Sequence, residues 1–325
     1  MASWQDLLRI GAVALGVDMG THAMKVAELR RTGRGIELTH YGIAPTPPGA
    51  VANGMILDRP AASGALRMLL RASGIRGRRA VISVTGQNVL ARILRLPPIP
   101  ADEVKQAIRW EAERHLPFPV EEAVLDAQVV GEVTDDGQRQ LEVLLAAAPE
   151  TVALTCIETV EEAGLQVEAV ELSALAMVRA LSRREHPGVV AMVNLGASTT
   201  EVAVVRGGVP QFTRTIAEGV EGLAEGGETA IIEGRLDAVV SQLRRSFDFY
   251  RVQYGRAQID QILLCGGGAR ADGVDRHLAL EMEIPVAVGT PLEEVHPGSH
   301  LDSDTVRRLA PQLVTAIGLA LRTHT

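Results

Sequence analysis

Along two stretches of the chain an apolar run ends in a tight polar turn, and a second, alternating run follows. At 12–29 the run AVALGV gives way to Asp18-Met19-Gly20-Thr21, and a second alternating run follows at once. A short apolar run and an alternating run on the two sides of a Gly-bearing turn predict strand, turn, strand. The pattern returns at Val190–Val205, where Asn194 stands for Asp18 and Gly196 for Gly20 at one constant offset of 176 residues. Two such units predict a duplicated fold. Each turn offers backbone N–H groups to half of a phosphate site, because glycine lets the backbone approach an anion closely. For either turn alone, an ordinary hairpin is the competing reading.

The remaining periodicities fill in the halves. Gly35–Ile43 reads as a third strand, and Pro45, Pro47 and Pro48 end it. Pro60–Ser73 reads as a helix with Leu66, Leu69 and Leu70 as its buried stripe. Ala80–Val84 and Val89–Leu96 read as strands, and Pro97-Pro98-Ile99-Pro100 marks a boundary. Beyond it come a helix at Asp102–His115, a hairpin turning at Asp135-Asp136-Gly137, a helix at Pro149–Ala163 and a strand at Leu165–Glu171. A helix with Ser173 as its N-cap closes the first half at Pro187-Gly188. The second half repeats the hairpin with Gly207-Gly208 at its tip and Val209–Ile216 as third strand. A helix at Glu228–Tyr254 follows, then an apolar strand, Ile259–Leu264, that delivers Gly266, Gly267 and Gly268. Helices at Asp272–Glu283 and Val306–Leu321 complete the chain, with Pro311 as a kink or start in the last.

The fold class predicted is α/β, with two lobes built on duplicated mixed sheets. The first lobe is expected at 1–96 with a connecting helix at 171–187, and a small α/β insert at 97–170. The second lobe is expected at 188–325, with a short helical subdomain near 217–240 and a terminal helix at 306–322 returning toward the first lobe.

Composition narrows the function. A chain of 325 residues supports two cored domains. A net charge of −8 with only 3% aromatic residues argues against nucleic acid as partner. Cys156 and Cys265 are far apart and without ligand-like spacing, which fits a reducing cytoplasm and excludes a zinc motif. No apolar run reaches the roughly 18 residues of a spanning helix. The first residues lack a basic segment before a long apolar one, so no signal peptide is expected. Ser3–Leu8 forms at most one amphipathic turn, better suited to core packing than to holding a membrane.

Hairpin with Asp-x-Gly, connecting helix, hairpin with Asn-x-Gly, strand, Gly-rich loop and helix is a motif order that resembles the actin-like ATPase superfamily. Within it, Ala107-Ile108-Arg109-Trp110-Glu111-Ala112-Glu113 running into Leu116-Pro117-Phe118-Pro119 resembles the signature of the PilM family of type IV pilus assembly, relatives of FtsA. So do Asn194–Thr200, Phe212-Thr213-Arg214, Ser246–Tyr250 and Gly266–Arg270. The resemblance implies a two-lobed actin-like fold and an ATP site that uses magnesium. Asp18, Gly20, Thr21, His22 and Lys25 would form the first phosphate loop, and Asn194, Gly196, Ala197, Ser198 and Thr199 the second. Gly266, Gly267, Gly268 and Arg270 would face the adenosine. Asp18 would hold Mg²⁺ through water, and Glu171 would stand near the attacking water.

The resemblance also implies a cytoplasmic adapter, held at the inner membrane by partners and with self-association open. It would accept the cytoplasmic N-terminal tail of a PilN-like membrane protein in a groove between first lobe and insert, at Arg109, Trp110, Glu113, Pro117 and Phe118. Asn194 replaces the Asp of hydrolytic relatives, so hydrolysis is expected to be slow or absent. The short segment between Gly219 and Leu236 bears on the adenine pocket. Alternatives on the same fold are a small-molecule kinase, for which no base beyond Asp18 and Glu171 is visible, and an FtsA-like filament-forming division anchor. That anchor is expected to carry an amphipathic tail, which Leu321–Thr325 does not resemble.

Overall fold

The computed structural model describes residues 13–100, 103–135, 137–182, 188–221, 229–254 and 258–324. In chain order its strands are β1 (Val13–Met19), β2 (Ala23–Thr32), β3 (Gly35–Pro45), β4 (Val51–Ala52), β5 (Met55–Ile56), β6 (Arg79–Val84), β7 (Leu90–Leu96), β8 (Ala123–Asp135), β9 (Gln138–Pro149) and β10 (Gln166–Leu172). Then follow β11 (Val189–Leu195), β12 (Thr200–Arg206), β13 (Val209–Ile216), β14 (Gln261–Cys265), β15 (Val286–Val288) and β16 (Val295–Pro297). The helices are α1 (Arg59–Ala72), α2 (Val104–Ala112), α3 (Glu150–Glu162), α4 (Ser173–Leu181), α5 (Thr229–Gln253), α6 (Val274–Met282) and α7 (Ser303–Leu321).

Two sheets organise these elements. The first has the order β10-β6-β1-β2-β3-β16, the second β15-β14-β11-β12-β13-β7-β9-β8. Within each, a meander of three antiparallel strands is extended by a parallel strand, β6 beside β1 and β14 beside β11. This is the duplication that the repeated turn predicts.

The centre is a layer of two helices between the sheets. The side chains of α4 and α7 share one core with Ala14, Ala27 and Leu29 of the first sheet and Val190, Met192 and Ala203 of the second. Strand alternation sends the other face of each sheet outward. Val17, Met24 and Ile82 meet α1 and α3, and Ala191, Val193 and Val204 meet α5 and α6. Cys156 and Cys265 are both buried thiols, packed in these cores. Two glycines set the approach of the central layer. A methyl on Gly16 would lie 1.9 Å from the Ala316 carbonyl oxygen, and one on Gly318 would lie 1.9 Å from that of Ala176.

Several expectations need correction. β7 does not join the first lobe's sheet. Leu90–Leu96 pairs along its length with β9, and Thr213 on β13 bonds the backbone of Ala91 through its hydroxyl. β7, β8 and β9 therefore extend the second sheet, with α2 packed on them. The rest of the expected 97–170 insert returns to the first lobe. β10 pairs with β6, and α3 seats Ala153, Cys156 and Val160 in the core under α1. Pro311 neither starts nor ends α7, which runs through it, and its carbonyl accepts the Gly266 N–H at 2.8 Å. The Ser3–Leu8 turn lies outside the described residues, as do 222–228 of the short segment and 183–187 after α4.

Replacing a glycine by alanine inside a helix ordinarily stabilises it by about 1 kcal/mol. At Gly318 the clash with the Ala176 carbonyl reverses the sign, and we expect Gly318→Ala to cost about 1–3 kcal/mol in urea unfolding. An unchanged or raised midpoint would show that α7 is not seated this closely on α4.

Candidate functional site

The two repeated turns have one geometry. The Gly20 N–H donates to the Ala23 carbonyl at 3.1 Å, and the Gly196 N–H to the Thr199 carbonyl at 3.0 Å. Neither glycine has room for a methyl, which would stand 2.9 Å from the Ala23 oxygen and 2.7 Å from the Thr199 oxygen. Each turn is braced from behind. The Thr46 hydroxyl donates to the Gly20 carbonyl at 2.7 Å, and the Val220 and Glu221 N–H groups donate to the Gly196 and Ala197 carbonyls at 3.0 Å. These bonds occupy the carbonyl oxygens, which are the atoms that repel an anion.

The Gly-rich loop completes the arrangement. Gly266 has φ +90°, and a side chain there would meet Asn194 Oδ1 and the Leu195 carbonyl. Gly268 is pressed against Val220, whereas Gly267 has nothing nearer than Gln312 Nε2, 3.9 Å from where its methyl would be. The three loops enclose a cavity of about 230 Å³. Gly20, Thr21, His22 and Lys25 line it from the first sheet, Gly196 and Ala197 from the second, and Gly267, Gly268 and Arg270 from the loop. Of the expected residues, Asp18, Asn194, Ser198, Thr199 and Gly266 do not line it. Sequence reading missed Ala23, Val220, Glu221 and Gln312, which do. Gln312 accepts from Arg270 at 2.9 Å and so ties the loop to α7.

Behind the cavity the pseudo-symmetry carries a chemical asymmetry. Asp18 faces Lys25 across β1 and β2, and Asn194 faces Glu201 at the equivalent register across β11 and β12. Asp18 accepts from Lys25 Nζ at 2.9 Å and from the Ser83 hydroxyl at 3.3 Å. Asn194 Nδ2 donates to Glu201 at 2.9 Å. Glu201 also accepts from the Thr85 hydroxyl at 2.6 Å and from the Ser173 hydroxyl, both from the first lobe. It is buried, and desolvation raises its pKa against the three hydrogen bonds, with the Asp18 charge adding to the rise. An Asp at 194 would set a second carboxylate against it, so Glu201 accounts for the amide at 194. The 176-residue offset that relates the turns also relates Glu201 to Lys25, and that offset is the sequence signal that points to this position.

Phosphate fits this cradle. The loops cannot carry side chains at Gly20 and Gly196, and Lys25 and Arg270 bring positive charge to the lining. Asp18 is engaged by Lys25, and no cluster of three metal-ligating side chains occurs among the described residues. The donor set therefore suits a magnesium ion held by phosphates and water, with Asp18 at most beyond the water layer.

Glu171 stands elsewhere. β10 lies two strands from β1, about 10 Å away at the usual spacing. Its carboxylate is held by Arg179, at 2.7 Å for one bond, with Arg322 at 3.5 Å. This corrects the expected placement near an attacking water.

Glu171 lines instead a groove between the first lobe and the β8–β9 hairpin. Its apolar part, about 240 Å³, is formed by Val124 and Ala148 of the hairpin, Leu154 and Ile157 of α3, and Leu172 and Leu175. It continues into a wider space of about 610 Å³ that reaches the Gly207-Gly208 turn of the second lobe. Arg109, Trp110, Glu113, Pro117 and Phe118 do not line either part. On β9 the odd positions Leu141, Val143 and Leu145 pack against α2, and the even positions Leu144, Ala146 and Ala148 face the groove. The segment carrying those five residues thus lies on the opposite face of the hairpin, where Trp110 is 72% exposed.

Comparison with known proteins agrees with this architecture. The sequence pattern of the family described as Type IV pilus assembly protein PilM matches residues 16–225 and 217–324. Cell division protein FtsA of Streptococcus pneumoniae serotype 2 is 27% identical over 230 residues, which is 63% of this chain and 49% of FtsA, so the match spans about half of that relative. Among solved structures, the PilM-PilN type IV pilus biogenesis complex superposes with a TM-score of 0.84 at 27% identity, over 96% of this chain and 98% of that one. The ethanolamine utilization protein EutJ from Carboxydothermus hydrogenoformans superposes at 0.54 and 18% identity, over 95% and 89%, a likeness of fold alone.

The buried Glu201 gives a pH signature. At about pH 4 the carboxyl is largely neutral in folded and unfolded chains alike. As pH rises, the unfolded chain ionises first, and the fold loses stability until the raised pKa is passed. Glu201→Gln should therefore gain in unfolding midpoint relative to the natural chain as pH rises from about 4 toward neutrality. A difference that does not change with pH would mean that the carboxyl is not desolvated.

Proposed function

This chain belongs to the PilM family of type IV pilus assembly proteins, and from that premise we propose that it is an ATP-binding adapter that recruits a PilN-like membrane protein. The observation that carries the reading is the likeness, across nearly the whole chain, to a protein solved as a PilM-PilN complex. The cradle between the three glycine loops would hold the phosphates of ATP, with Lys25 and Arg270 supplying positive charge. Bound magnesium would neutralise part of the phosphate charge. The cavity is smaller than the roughly 300–1,000 Å³ usual for small-molecule sites, so this reading requires the lobes to open for a whole nucleotide.

The groove between α3, β10 and the β8–β9 hairpin would receive the cytoplasmic N-terminal tail of the partner. No helix among the described residues is long and apolar enough to cross a membrane, so attachment to the inner membrane from the cytoplasm would run through that partner. The two sites share their scaffold. α7 carries Gln312 at the cavity and is followed by Arg322 at the groove, and α4 starts with Ser173 on Glu201 and continues to Leu175 and Arg179 in the groove. Coupling between ATP and tail requires different affinities in the open and closed lobes. Slow or absent turnover follows from the same chemistry, because Asn194 is an amide and Glu171 is ion-paired away from the cavity.

Titration calorimetry with ATP and magnesium, then with a synthetic tail peptide, tests both sites. Gly267→Leu has room to fold, and its side chain enters the cavity. We expect it to keep the unfolding midpoint and weaken ATP by at least about tenfold, roughly 1.4 kcal/mol. Leu154→Glu, on an exposed position of α3, should abolish tail binding and leave ATP binding intact. Rapid phosphate release would revive the kinase alternative, and equal tail affinity with and without ATP would remove the coupling.

A further inference from the structure

The groove lies between two sheet edges. β10 ends the order of the first sheet and β8 ends that of the second, so among the described residues neither has a strand on its outer side. Both edges contribute to the groove wall, β8 through Val124 and Asp126 and β10 through Val170 and Leu172. An edge strand presents a row of unpaired N–H and C=O groups, and long exposed edges are ordinarily blunted by bulges, charge or cover. On β8 the bulge sits between Val129 and Gly131, beyond the groove. From Ala123 to Val129 the pairing with β9 is regular, and no strand covers the outer edge, where the Asp126 carboxylate accepts from the Ala127 N–H at 2.9 Å and would have to yield it to an added strand. Val124 is 48% exposed, and Leu154 across from it in the same groove is also 48% exposed. The apolar surface left uncovered here therefore coincides with the open backbone.

We propose that the partner's tail adds to the second sheet as an extended strand along Ala123–Val129 of β8, with alternate side chains directed into the groove. This rests on the reading of the groove as the tail site and specifies how the tail is held. Strand addition draws affinity from main-chain hydrogen bonds and specificity from pockets for every second side chain. Val124, Asp126 and Gln128 share the groove-facing side of β8, so an added strand in the same pleat sends its own alternate residues the same way. Apolar residues suit the part against Leu154 and Ile157. Farther along, Asp126 and Glu294 are exposed carboxylates, whereas Glu171 is already matched by Arg179 and Arg322. That balance favours a basic side chain on the tail. Cytoplasmic segments flanking a membrane span characteristically carry Lys and Arg, so the acidic wall complements a tail of this origin.

The test uses the full chain and a labelled synthetic peptide with the N-terminal residues of the PilN-like protein, measured by fluorescence anisotropy. A series of peptides carries one N-methylated backbone amide each, which removes a donor and leaves every side chain unchanged. Strand addition predicts losses of about tenfold or more at every second amide and near-parent affinity between them. If the parent peptide binds, Leu154→Glu abolishes it and the methyl series shows no alternation, the groove is the tail site but the strand is wrong. If the parent peptide does not bind at all, the groove reading itself fails and the strand with it. A concentration-dependent dimer that excludes the peptide assigns the β8 edge to a second copy and likewise overturns the proposal.

Discussion

The structure depends on how closely two helices fit between two sheets. α4 and α7 form a layer through which the two repeated meanders share a core, and they fit because Gly16 and Gly318 have no side chains. At Gly16 the strand backbone meets the Ala316 carbonyl, and at Gly318 the helix meets that of Ala176. A packed interior transmits displacement because it has few voids to absorb it. The loops of the candidate nucleotide cavity and the walls of the groove are both anchored to this layer, through Gln312 and Ser173 at one end and Arg179 and Arg322 at the other.

Duplication explains the form of the cavity, and divergence its chemistry. One strand–turn–strand design, used twice, makes a pair of glycine turns whose carbonyls are occupied from behind. At the equivalent register one copy holds a Lys–Asp ion pair and the other an amide–carboxyl pair. The ion pair is partly open to solvent, whereas Glu201 is buried and reaches across to Thr85 and Ser173. A buried carboxyl with several hydrogen bonds is costly to leave unpaired. Lobe opening that separates Glu201 from those two hydroxyls must therefore be offset by new hydrogen bonds, to water or to a bound ligand.

Much of this was legible in the chain. The period-two runs, the turn glycines and the constant offset determined two meanders and their shared turn, because strand alternation and the need for glycine are local properties. Leu66, Leu69 and Leu70 marked the buried face of α1 for the same reason. The nine expected residues that line the cavity came from the family resemblance, which the glycine turns and the Gly-rich loop carried.

What only the tertiary structure decided is which sheet each strand joins and which face of it is covered. β7 carries no sign in its sequence that it pairs with β9 and β13 rather than with β6, since pairing partners are set by long-range packing. The five residues on and after α2 form a conspicuous motif, but a hairpin has two faces, and the even positions of β9 turned the groove away from them. Glu171 stood at the expected place in sequence, two strands from the phosphate turn and already held by Arg179. Sequence by itself determined the local backbone of the site. Distance across a sheet and the choice of face are properties of the assembled layers, and they determined what that backbone can reach.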